Sequence, residues 1–136
     1  MEFDATGVVA EVSVAFHDYE RALIAEDHAR LDHWFWADER VVRFGISDIE
    51  YGFIAVAQWR RSSPFVGAER TLSNTVVTAL GRDAAIVSTE FSPPDAALVG
   101  RQTQVWARLA EGWRIVHAHV STVAGASLQR SRQHAP

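Results

Sequence analysis

Val8, Val12, Ala15, Phe16, Tyr19 and Leu23 recur at spacings of three and four, so the chain opens on one apolar stripe of a helix. Thr6 or Asp4 stands where a cap for its first turn is expected. Acidic Glu26-Asp27 separates this helix from a short second one, with Leu31, Trp34 and Phe35 facing inward. The pattern then changes. Arg40-Val41-Val42-Arg43-Phe44-Gly45 reads as a short strand ended by glycine, and Ser47 to Gly52 as a loop with a second short strand. Phe53, Val56, Ala57 and Trp59 or Arg60 return to helical spacing until Ser62-Ser63-Pro64 breaks it.

From Ala68 onward, strand follows strand. The runs 70–80 and 84–91 flank the turn signal Gly81-Arg82-Asp83, and the runs 98–109 and 113–123 flank Ala110-Glu111-Gly112. Ser92-Pro93-Pro94-Asp95 makes a longer loop between the two hairpins. Helices first and long antiparallel strands afterwards predict an α+β fold, with about three helices against a curved, mostly antiparallel sheet. One domain is expected over 1–124, with a flexible tail over 125–136 that has polar residues and no period. A curved sheet wrapped over helices leaves a cone-shaped pocket, the kind of cavity that small ligands occupy.

Composition narrows the chemistry. At 136 residues one core is the expectation, and the absence of cysteine removes disulfides, thiolate nucleophiles and cysteine metal sites. All thirteen basic side chains are arginine, which excludes lysine Schiff bases and a phosphate-loop lysine. Seventeen acids leave a net charge of −4 with no basic cluster, which argues against a nucleic-acid partner. No segment approaches the ~20 apolar residues of a membrane span, and 1–7 has no signal-peptide pattern, so a cytoplasmic location is expected. Hydrolase serine elbows, zinc-helix motifs and dinucleotide fingerprints are missing. Any chemistry must therefore run on Tyr, Arg, His and carboxylates.

Tyr19 lies in the middle of the inward helical stripe, either as core or as a hydroxyl aimed into a pocket. Arg43 sits in an apolar run, and a guanidinium cannot lose its charge on burial. It is either an ion pair with Glu50 or Glu90, an edge residue, or a clamp for a carboxylate. Arg60 and Arg61 close the third helix, where cations suit the macrodipole, although Arg60 can also point inward. Arg101 lies beside Gln102, Gln104 and Trp106, which alternate onto one polar-aromatic face of a pocket or an interface. His117 and His119 share a strand face with Ile115 and Ser121 on strict alternation, as a wall position or, without a third ligand, a weak metal motif. Glu90 is a polar residue in an apolar strand, with an arginine as its plain partner.

Several blocks of the chain together resemble the AtzH-like family, a branch of the SnoaL-like superfamily with the nuclear-transport-factor-2-type cone fold. They are Tyr19-Glu20-Arg21-Ala22-Leu23, Val42-Arg43-Phe44-Gly45, Tyr51-Gly52 with Trp59-Arg60-Arg61, Ser88-Thr89-Glu90-Phe91, 100–106 from Gly100 to Trp106, and 112–116 leading to Ala118-His119-Val120-Ser121. The resemblance implies a small catabolic enzyme of nitrogen metabolism, performing decarboxylating amide hydrolysis of 1,3-dicarboxyurea to allophanate. It implies Tyr19 and Arg43 as the essential pair, both already singled out on physical grounds. Arg60, Arg101, Gln104, His119 and Trp36 complete the expected substrate-binding set, with no metal and no cofactor. Expected partners are a small anionic substrate, a second copy of the chain and a pathway amidase. The rival expectations are a ketosteroid-isomerase-like enzyme with Glu90 or Asp38 as base, and a non-catalytic accessory subunit.

Overall fold

The apolar stripe forms helix α1, Val8–Ile24, whose buried side includes Val12, Phe16 and Tyr19. This computed structural model describes residues 1–64 and 66–131. The cap differs from expectation: Gly7, at φ 84°, occupies the N-cap with no side-chain bond to the helix. Asp4 instead accepts from Ala79 N at 2.9 Å, tying the N-terminal segment to the sheet. Asp27 caps the second helix α2, His28–Trp34, by accepting from Arg30 N at 3.1 Å. Strand β1 (Val42–Phe44), strand β2 (Ile49–Tyr51) and helix α3 (Phe53–Ser62) follow.

The four long strands are β3 (Leu72–Leu80), β4 (Ala84–Phe91), β5 (Leu98–Leu109) and β6 (Gly112–Ala124). The six-stranded sheet has the order β2-β1-β6-β5-β4-β3, with β1 parallel to β6 and the other pairings antiparallel. Two short strands thus extend the meander on the β6 side. Ala79, Ala85, Val87, Trp106 and Ile115 from the sheet bury against Val8, Val12, Phe16 and Leu31 from the helices. At about 25 cal/mol per Å² of apolar surface, this helix-on-sheet burial is what drives the fold.

One irregularity matters for function. Val105 pairs His117 while Trp106 pairs Ile115, so Val116 is an extra residue in β6. A one-residue bulge reverses the face of every later side chain. Ile115 points into the core, but after the bulge the inward residues are Ala118 and Val120. His117 and His119 consequently leave the face of Ile115 and lie against Phe44, at ring separations of 5.9 and 5.6 Å. Beyond β6 a single 3₁₀ turn, Gly125–Ser127, leads to Arg130, which bonds Glu90 at 2.6 and 2.8 Å.

Candidate active site

The concave side of the sheet and the three helices enclose a cavity of about 400 Å³. Helix α1 delivers Tyr19 and Leu23 to it, α2 delivers Leu31, β1 delivers Arg43, and α3 delivers Trp59 and Arg60. Arg70, just before β3, together with Phe91 and Gln102, closes the sheet side. Three guanidinium groups, with the Glu26 and Asp48 carboxylates also in the lining, make it a charged cavity with apolar walls.

Each guanidinium is held differently. Arg43 Nη1 donates to Asp48 Oδ1 at 2.7 Å and to Glu50 Oε1 at 2.8 Å, and the group stacks on Trp59 at 3.4 Å from the ring centroid. Val41 and Arg43 share the inward face by plain alternation, which is why an arginine stands in an apolar run. Gly45 permits the arrangement: a Cβ there would collide with the Asp48 carboxylate and Arg43 Nη1. Arg70 donates to both carboxylate oxygens of Glu20, at 3.0 and 3.3 Å, and to Gln102 Oε1 at 3.1 Å, above the Phe91 ring. Gln102 Nε2 returns a bond to Glu20 at 3.3 Å, closing a three-residue network. Arg60 is 7% exposed, lies over Phe35, and is 3.7 Å from Asp32, beyond hydrogen-bond reach.

Tyr19 lies among these charges. Burial pushes its phenol above the usual range, against the pull of Arg60, Arg43 and Arg70. The hydroxyl therefore keeps its proton at neutral pH and is a donor. No hydrogen bond to the described residues engages it. Glu50 is also pushed up, first by burial, and its contact with Asp48 adds to this while Arg43 opposes it.

The expected set divides cleanly. Tyr19, Arg43 and Arg60 meet in the cavity. Arg101 does not: it is exposed on the convex face, opposite Glu90 and Ser121, because it alternates against the inward Gln102. His119 is turned out by the Val116 bulge and is exposed. Gln104 does face inward, yet it is 1% exposed in the core and accepts from Trp106 Nε1 at 3.0 Å, away from the cavity lining. Trp36 packs at the edge of the core under Arg40, outside the lining. The proposed isomerase bases miss the cavity too. Glu90 is on the convex face, bonded to Asn74 and Arg130, and Asp38 is bound by Arg40 beside a separate surface groove.

Sequence reading put Gln102 on a pocket or interface face, but it did not assign the lining residues Glu26, His28, Ser47, Asp48, Ser63 and Arg70, or Glu20 behind Arg70, to the site. Glu20 carried a signal, since it shares the inward side of α1 with Phe16, four residues before it. Arg70 carried none, because it precedes its strand and only the chain path brings it to Glu20. Among the described residues no group of His, Cys, Asp and Glu could hold a metal ion, and no helix is long and apolar enough to cross a membrane.

Three helices under a curved mixed sheet, with a charged cavity between them, define a nuclear-transport-factor-2-like α+β protein. A superfamily member of that description from Salmonella enterica serovar Typhimurium LT2 aligns at TM-score 0.71 and 22% identity, over 92% of this chain and 97% of that one. The chain belongs to the AtzH-like family, whose profile matches residues 1–126. A cystatin-like fold protein from Burkholderia xenovorans LB400 is 45% identical at TM-score 0.88, covering 91% of this chain and 98% of that one. A DUF3225 protein of unknown function from Pectobacterium atrosepticum SCRI1043 is 43% identical at TM-score 0.85, over 90% and 95%. No curated protein matches the chain.

Proposed function

We propose that the protein is a decarboxylating amidohydrolase for a small carboxylated urea or ureide acid, such as 1,3-dicarboxyurea. The observation that carries this is the meeting of a protonated, unengaged phenol with the Arg43 and Arg60 guanidiniums in one cavity of about 400 Å³. Arg60, in the lining without a hydrogen bond to a described residue, suits a substrate carboxylate, whereas an apolar steroid-like substrate would leave it without an acceptor. Arg43, stacked on Trp59, orients a substrate carboxylate. Tyr19 donates to the nitrogen that bears the departing carboxylate. As the nitrogen gains that proton, the C–N electron pair moves onto it and the carboxyl leaves as CO2. Bulk water returns the proton to the phenolate, so the cleavage step consumes one proton and needs no protein nucleophile, and hydration of the released CO2 in solution takes up the water of the net hydrolysis. Arg60 and Arg43 stabilise the transient phenolate charge, which burial alone would oppose.

Purified protein added to freshly generated dicarboxyurea should speed formation of allophanate and CO2. Decay at the unassisted rate would overturn the reading. A homodimer through the convex face of the sheet belongs to the same proposal, and light scattering at the monomer mass would remove that part.

A further inference from the structure

The three cavity guanidiniums differ in what they still lack. Arg43 serves two carboxylates and Arg70 serves Glu20 and Gln102. Arg60 makes no hydrogen bond to any described residue, its side chain is 6% exposed, and Nη1 is buried without a partner. Its nearest acid does not complete it. Asp32 spends Oδ2 on Arg61 at 2.7 Å, while Oδ1 stops 3.7 Å from Arg60 and is itself unpartnered. Asp32 thus offsets charge without filling the donors. Arg60 nevertheless lines the cavity, so a guanidinium held by one 3.7 Å ion pair and no hydrogen bond to a described residue keeps donor capacity for an acceptor bound there.

We propose that Arg60 is the receptor for a second ligand carboxylate and makes this cavity selective for dicarboxylates over monocarboxylates. This rests on the preceding reading for what the ligand undergoes, though not for its binding. One carboxylate meets Arg43 and the other meets Arg60, and Tyr19 lines the same cavity. A substrate with two carboxylates keeps both contacts. A product that has lost one as CO2 keeps a single contact and leaves.

Glutarate has the chain length of 1,3-dicarboxyurea and does not react, and butyrate is its monoacid counterpart. Calorimetric titration of the wild-type protein should favour glutarate by about tenfold or more, the yield of one charge-assisted contact. Arg60→Met should reduce that preference to within about twofold while leaving butyrate affinity nearly unchanged. Its melting temperature should change little, because Asp32 keeps its bond from Arg61 when Arg60 is replaced by a side chain of similar length. Arg60→Lys, which keeps the charge without the planar fork, should restore part of the preference. Wild-type protein without a dicarboxylate preference overturns the proposal. So does Arg60→Met that retains the preference, or that loses both ligands equally. An Arg60-dependent preference in a protein that leaves dicarboxyurea untouched supports the receptor and sinks only the reaction.

Discussion

Tyr19 and Glu50 show how single positions acquire chemistry from their surroundings. The Tyr19 hydroxyl has no hydrogen bond to a described residue, so Tyr19→Phe should leave circular dichroism and melting unchanged. Its rate on dicarboxyurea should drop by about 10²–10⁴-fold, the usual scale of a proton donor. Glu50 is raised above its ordinary carboxylate value by burial, so the folded state favours its protonated form. The stability this contributes is complete below the unfolded value of 4.5 and is lost as pH rises through the higher folded one. Glu50→Gln removes that dependence. Chemical denaturation from pH 4 to pH 8 should show the variant gaining on wild type as pH rises, read from the slope of the difference.

Elements carry residues into the site only when their local geometry allows it. The β1–β2 connection brings Asp48 onto Arg43 because Gly45 leaves room. Gly45→Ala should cost about 1–3 kcal/mol by loosening that buried ion pair and should raise KM for an anionic substrate. Denaturant melts and Michaelis curves on one preparation check both parts. Helix α1 and the chain before β3 are joined by Glu20–Arg70, with both side chains about one-twentieth exposed. Arg70→Met leaves Glu20 buried and uncompensated, at a cost of about 3–5 kcal/mol. The double variant Glu20→Gln/Arg70→Met should recover much of that loss in the same melts, since two unlike charges leave together.

At the scale of the whole molecule, the concave and convex faces of the sheet separate two kinds of polar residue. The concave face holds buried arginine side chains, while the convex face holds Arg101, His119 and the Glu90–Arg130 pair. Bonds from Arg130 and then Asn74 keep the Glu90 carboxyl down at about 2. The stability tied to it is present above the ordinary value of 4.5 and is lost as pH falls toward 2. Arg130→Ala should raise the Glu90 value in an NMR titration and leave turnover at pH 7 unaltered, because neither residue reaches the cavity.

The order of elements was legible because each follows from local patterning: the 3.6-residue stripe of α1, the breaks at Ser62-Ser63-Pro64, and the glycine turns of the two hairpins. Arg43 and Tyr19 were legible because an arginine between valines and a tyrosine amid an apolar stripe contradict their immediate surroundings. Arg101, His119 and the helix cap were misjudged for one reason, that alternation and capping rules know nothing of what lies across the sheet. The Val116 bulge is defined by pairing with β5, and Asp4 is drawn off by Ala79 N. The sequence by itself determined the helices, the strands and the two residues whose burial demanded a purpose. Only tertiary structure decided which arginines share a cavity, because Arg43, Arg60 and Arg70 lie on separate segments. It also decided that Arg60, alone among the three, makes no hydrogen bond to a described residue.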